Sequence, residues 1–339
     1  MRPGCAAVVA ACLIALSLGG CDRLADRQVE QALTRTRTDL LKSPDLHVVL
    51  CGTGTPLPDP ARAGACTAVI AGGEFILVDV GPGSWETVDL ANLPTAGLSA
   101  ILLTHFHSDD IGALGEAVTQ SWIAGRTKPL DVYGPPGVAQ VVGGFAQAYA
   151  FDAAARVAHH GESHMPAAAG RAISHEVAMP DGGAGALVFD RNGLRVTMFR
   201  VDHAPVAPAV GYRFDFGGRS VVVSGDTRRS ANVVDHSRGA DILVHEAMQP
   251  KLLHRASAVA RRLGRDRLAD MAEDIITYHT SVGDAVAVAT EAGVPHLVLT
   301  HLVPGPSNAI ARRLFLDGAT FDGTLTLGTD GMEFVLPPK

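Results

Sequence analysis

Thr104-His105-Phe106-His107-Ser108-Asp109-Asp110 brings two imidazoles and two carboxylates together directly after the apolar run Leu98–Leu103. In an extended segment, side chains at i, i+2 and i+4 point to one side. His105, His107 and Asp109 therefore converge on one point at the C-terminal end of a buried strand. Imidazole nitrogen and carboxylate oxygen in that arrangement suit a divalent transition metal, zinc first.

The same theme recurs along the chain. Asp202-His203-Ala204-Pro205 follows the strand-like run Leu194–Val201, and Ser224-Gly225-Asp226-Thr227 follows Arg219–Val223. His245 follows Val244, and His301 follows Val298-Leu299-Thr300. A lone histidine at a strand end is usually structural, but a series of such positions is how a scaffold presents chemistry.

The elements that must position these residues are legible from turn and cap signals. Gly72-Gly73, Asn192-Gly193 and Gly217-Gly218 join β-rich runs as hairpins. Helical spacing covers Ile111–Ala124, Pro135–Tyr149 and Val282–Ala292, the last with Ser281 as N-cap and Gly293 as its stop. Trp122 and Tyr149 are read as core residues, and the stretch Arg156–Glu162 as a loop. Strand-rich hairpins followed by βα units, twice over, predict two sheets packed face to face with helices outside.

Hydrophobic residues make up 47% of the 339-residue chain and charged ones 19%, ample for a large core. The net charge of −7 gives no global positive field for a polyanion. Basic residues are dispersed, apart from Arg255, Arg261, Arg262, Arg265 and Arg267. Residues 1–21 read as a lipoprotein-type signal peptide: Arg2 is a short basic start, Ala6–Leu18 is apolar, and Leu18-Gly19-Gly20-Cys21 resembles a lipobox. That predicts export to the periplasm, with a lipid anchor at Cys21 holding the protein at the inner membrane. A plain cleaved signal is the alternative. Residues 22–45 read as a polar tether or short helix, and 46–339 as the catalytic domain. Of the five cysteines, only Cys51 and Cys66 lie in that body. Their spacing suits a bridge across a strand–loop–strand unit without establishing one.

Taken together, Gly52-Thr53-Gly54-Thr55-Pro56, Thr104–Asp110, the His203 segment, Ser224–Thr227, His245-Glu246-Ala247, Tyr278-His279-Thr280-Ser281 and Leu299-Thr300-His301 resemble the metallo-β-lactamase superfamily, in the branch of ribonuclease Z and the arylsulfatases of that fold. The resemblance runs from about Leu46 to Leu336. It implies a four-layer αββα sandwich with a two-metal site. It also implies that His105, His107 and His203 bind one ion, that Asp109 and His301 bind the other, and that Asp226 bridges them. His279 corresponds to a proton donor oriented by Glu246, while Asp109 has a catalytic as well as a ligating part. One position departs from the pattern: the family motif ends in His, and this chain has Asp110. Asp110 is taken as a further ligand, or as a carboxylate holding a neighbouring ring.

The resemblance implies two Zn²⁺ ions, with Mn²⁺ or iron as alternatives at the second position, since carboxylates suit harder ions. The expected reaction is hydrolysis of an ester, of aryl sulfate or phosphodiester type. Alternatives are a degenerate metal-binding member with little turnover, a ribonuclease Z-type endonuclease, a lactonase, and an iron oxidoreductase of the same fold. The expected partner is a small anionic or aromatic ester and not nucleic acid. The interval between His203 and Asp226 holds one hairpin and leaves no space for a tRNA-gripping arm. A homodimer is compatible with the sequence.

Overall fold

The computed structural model describes residues 22, 24–31, 33–179 and 183–339. The chain divides into two compact units, Met1–Thr38 and Asp39–Lys339. In the first, the described residues between 22 and 34 are helical and exposed. The signal segment and Cys21 lie outside the described residues. No described helix is long and apolar enough to cross a membrane.

Among the described residues, the second unit carries fourteen strands in two seven-stranded sheets. The first sheet uses β1 (Leu46–Gly52), β2 (Cys66–Ala71), β3 (Glu74–Val78), β4 (Leu98–Leu102), β5 (Leu130–Gly134), β6 (Ala172–Glu176) and the late β14 (Glu333–Leu336), in the order β14-β1-β2-β3-β4-β5-β6. The second uses β7 (Ala186–Arg191), β8 (Leu194–Arg200), β9 (Val210–Phe216), β10 (Arg219–Val223), β11 (Ile242–Met248), β12 (His296–Val303) and β13 (Thr324–Leu327), in the order β13-β12-β11-β10-β9-β8-β7. Each sheet starts with antiparallel hairpins and continues through parallel pairs, β3–β4–β5–β6 in one and β10–β11–β12–β13 in the other. Parallel neighbours need crossovers, and these carry the outer helices.

Alternation along the strands sorts the side chains into layers. Val48, Leu50, Val69, Ile76 and Leu102 of the first sheet meet Val196, Tyr212, Phe214, Val221 and Val244 of the second in a central core. Val49, Cys51, Ile70, Leu77 and Ile101 face outward onto helices. Phe199, Val222, Leu243 and Leu299 do the same on the second sheet. This is the αββα sandwich.

Local differences from the sequence reading have local causes. The helix placed at Ile111–Ala124 is split into Ser108–Ile111 and Leu114–Ile123. The helix expected to stop at Tyr149 runs from Val138 to His160. The stretch Arg156–His160 is therefore helical, and Gly161 with φ +79 ends it. Tyr149 is only half-buried, whereas Trp122 is in the core. Strand β6 was not anticipated; its sequence, Ala-Ile-Ser-His-Glu, is too polar to announce an edge strand. Cys51 and Cys66 form a disulfide between neighbouring strands β1 and β2.

Candidate metal centre

Strand β4 delivers the first cluster. After Leu102 the chain leaves the sheet, and Ser108–Ile111 turns into a short helix whose first turn carries Asp109 and Asp110. The exit is fixed from two sides. Tyr212 Oη on β9 donates to the Leu103 carbonyl at 2.7 Å, and the Thr104 N–H donates to Asp79 Oδ1 at 2.9 Å. Thr104 Oγ1 donates to Asp79 Oδ2, so the His105 Nδ1–H donates to that hydroxyl oxygen at 3.0 Å. This relay leaves His105 Nε2 free to face inward, and it is buried without a hydrogen-bond partner.

The second sheet supplies the rest. His203 follows β8, Asp226 follows β10, and His301 lies within β12. The His203 Nδ1–H donates to the Tyr278 carbonyl at 3.0 Å, and its Nε2 is likewise buried and unpartnered. His105, His107 and His203 form a triangle of rings 4.7, 5.0 and 5.3 Å apart. With Asp226 they place four donor atoms within 4.8 Å of one another. A second group joins Asp226, His279 and His301, and a third joins His107, Asp109 and Asp110. His301 Nε2 stands 3.2 Å from Asp109 and 3.4 Å from Asp226. Asp110 Oδ2 is 3.4 Å from His105 Nε2 and has no hydrogen-bond partner. The side chains expected as metal donors, His105, His107, Asp109, Asp110, His203, Asp226 and His301, thus lie in one cluster, and Asp226 is common to the first two groups.

His301 is held in the left-handed region, φ +44, which a non-glycine residue rarely adopts. The next residue is pinned by the Leu302 N–H donating to the Thr53 carbonyl at 3.1 Å. Thr53 is in turn held by Asp330, and Arg62 donates to the Thr53 hydroxyl and the Gly328 carbonyl.

Charge in the cluster is set by burial and mutual contact. Burial drives His105 down to about 3, so its ring is neutral, as a metal-ligating imidazole must be. Burial opposes ionisation of Asp226, but His301, His279, His105 and His203 outweigh it and hold the carboxyl below its usual range. Burial, with Asp226 and Asp79 nearby, pushes Asp110 well above its usual value. Burial also pushes Asp79 up to about 8 against its two hydrogen bonds from Thr104. Buried lone pairs converging without partners, and carboxylates crowded together, are the signature of a cavity shaped for cations. The residues fit divalent ions.

Glu246, buried on β11, organises the opposite wall. Its Oε1 accepts from the Thr227 N–H at 3.0 Å, the Thr280 N–H at 3.2 Å and the His279 Nδ1–H at 3.0 Å. His245 is buried with its Nδ1–H on the Glu246 carbonyl and belongs to none of the three donor groups, which agrees with a structural reading. Asp79 was not singled out in the sequence, and Thr227 and Thr280 entered only as members of the Ser224–Thr227 and Tyr278–Ser281 motifs. Asp79 carries the signal that flagged the others, an acid directly after the apolar strand Phe75–Val78.

Residues 75–302 match the β-lactamase superfamily domain. A ribonuclease Z of Mycolicibacterium paratuberculosis is 40% identical over 262 residues, 76% of this chain and 86% of that protein. A ribonuclease Z of Mycobacterium tuberculosis is 36% identical over 299 residues, 87% of this chain and 99% of that protein. Among solved structures, the short form of human tRNase Z superposes with a TM-score of 0.59 at 21% identity, covering 86% of this chain and 99% of that one. The metallo-β-lactamase fold protein YhfI of Bacillus subtilis gives 0.56 at 18% identity, covering 86% and 99%. The chain belongs to the metallo-β-lactamase superfamily, in its ribonuclease Z branch. It is a hydrolase of that fold.

These relatives correct three expectations. The arylsulfatase-like reading gives way, because the relatives are named ribonuclease Z. The signal peptide, lipoprotein and periplasm assigned to the chain are not supported by them either. The small-ester partner with nucleic acid disfavoured is overturned on the same finding. The short interval between His203 and Asp226 does not set the chain apart, since the alignment spans 99% of the Mycobacterium tuberculosis protein. Net charge averages over the whole surface and could not exclude a polyanion.

Proposed function

We propose that the protein hydrolyses a phosphodiester bond in RNA of the tRNA class, in the manner of the ribonuclease Z relatives. The reading is supported above all by the near full-length match to ribonuclease Z, combined with the His279–Glu246 pair at the edge of the donor cluster. Zinc is proposed for the His105, His107, His203 and Asp226 position. Mn²⁺ or iron suits the second position, where Asp109, Asp110 and Asp226 accompany His301. Bound divalent ions there supply Lewis acidity, lowering the pKa of water and neutralising charge on a phosphoryl oxygen.

The chain's own residues complete the chemistry. Asp109 and Asp226 orient the attacking water as acceptors. Burial opposes a charge on the His279 ring, but the Glu246 carboxylate outweighs it and holds the ring above its usual value. With Nδ1 committed to Glu246, the Nε2–H of His279 is left to protonate the departing oxygen, a step worth roughly 10²–10⁴-fold.

The test is a substrate comparison on metal-analysed protein: an end-extended tRNA transcript, bis-p-nitrophenyl phosphate and p-nitrophenyl sulfate. Cleavage of the transcript at a single position, with the phosphodiester preferred over the sulfate, is expected. Sulfate turnover with the transcript left intact would overturn the proposal.

A further inference from the structure

Tyr278 stands at the rim of the metal centre and belongs to none of its donor groups. Its place is set by the backbone. The Tyr278 carbonyl accepts the His203 Nδ1–H at 3.0 Å, and the next two residues are tied to Glu246, His279 through its ring and Thr280 through its N–H. The Tyr278 ring is edge-on to His203, with centroids 5.3 Å apart, and tilted against His279, with centroids 4.7 Å apart. His279 in turn stacks on His301, with centroids 5.4 Å apart. Among the described residues, Tyr278 is the sole phenylalanine, tyrosine or tryptophan in ring contact with a donor histidine.

A tyrosine placed for packing buries its ring and finds its hydroxyl a partner, as Tyr212 does with the Leu103 carbonyl. Tyr278 does neither. Its side chain is half-buried, and its hydroxyl is neither buried nor hydrogen-bonded among the described residues. Part of an aromatic ring is thus left to solvent beside the donor cluster. Every nucleobase has a π-face, so such a ring can hold an unpaired nucleotide with little regard for its identity. Stacking of one base on one ring is worth roughly ten- to hundredfold in affinity.

We propose that Tyr278 is the stacking platform for the nucleobase on the leaving-group side of the scissile phosphodiester. This rests on the RNA reading above, in which the His279 ring protonates the departing oxygen. That ring touches Tyr278, so the nucleoside carrying the oxygen is the one brought against the tyrosine. The contact is made by the ring face, and the hydroxyl has no part in it.

The experiment compares two end-extended tRNA transcripts on the full chain, one intact and one abasic at the nucleotide whose oxygen departs. Wild type should favour the intact transcript roughly tenfold in kcat/KM, and the same ratio should appear in the Kd of the two cleavage products, which bind without turnover. Tyr278→Leu keeps the backbone carbonyl that His203 uses and should bring both ratios to about one. Tyr278→Phe and Tyr278→Trp should retain them. A tyrosine that only supports its neighbours would lower both rates together and leave the ratio where it was. Equal handling of the two transcripts by wild type overturns the proposal, as does a preference that survives Tyr278→Leu or disappears in Tyr278→Phe. Base-independent cleavage removes this contact alone, whereas a transcript that wild type leaves whole removes the RNA reading with it.

Discussion

The His279 Nδ1–H donates to Glu246 Oε1 across 3.0 Å, and the same oxygen accepts backbone N–H groups from Thr227 and Thr280. Three donors on one carboxylate oxygen fix the ring's position and its tautomer together. His279→Asn should lower kcat roughly 10²–10⁴-fold. Glu246→Gln keeps the shape but removes the charge, and should give a smaller loss with KM little changed. Steady-state kinetics on both variants, with metal content measured alongside, checks this. Equal activity in His279→Asn would remove the ring from the chemistry.

On the proposed assignment, Asp110 makes the second cation position richer in carboxylate than the family motif. Wild-type protein equilibrated with equal Zn²⁺ and Mn²⁺ should carry both metals. Asp110→His should shift the content toward zinc alone, because imidazole is the softer donor. Elemental analysis reads the outcome without recourse to activity. Identical metal ratios in the two proteins would exclude Asp110 as a donor.

Far from the site, Asp241 gives a pH signature. It accepts from the Ser220 N–H at 2.8 Å and from Arg219 at 2.9 Å, and it lies 3.1 Å from Lys339. Burial works against its charge, but those donors hold its carboxyl below the ordinary value. A carboxyl depressed in the folded state stabilises fully above its unfolded pKa, about 3.9, and loses that contribution as pH falls further. Asp241→Asn should therefore be less stable than wild type at neutral pH. The gap should close below about pH 4. Urea unfolding at several pH values measures it.

The disulfide between Cys51 and Cys66 closes a loop of 15 residues. On chain-entropy grounds such a loop is worth about 3 kcal/mol. Reduction, or the double change Cys51→Ala with Cys66→Ala, should lower unfolding stability by about that amount and leave the metal donors in place. Denaturant titration with and without reductant reads it.

Much of this centre was legible because several donors sit at or just beyond an apolar run. His105, His203, Asp226 and His301 all stand out against a hydrophobic run, and Gly-Gly and Asn-Gly turns mark the hairpins. Strand β6 and the second half of the helix Val138–His160 were not legible. Their polar or alanine-rich sequences lack a clear period, and only packing and the Gly161 stop settle them. The Thr104–Asp79 relay was hidden because it pairs residues from neighbouring strands. Nucleic acid was misjudged because net charge and one short interval describe the whole surface and one loop, neither of which is the site.

The donors ride on both layers: His105, His107, Asp109 and Asp110 follow β4 of one sheet, while His203, Asp226, His279 and His301 belong to the other. Neither half of the polypeptide holds the whole set, so occupancy is a gauge of whether the layers have docked. A chelator acts on that seam as well as on the chemistry, and fragments carrying the two halves would regain tight cation binding only on reassociation.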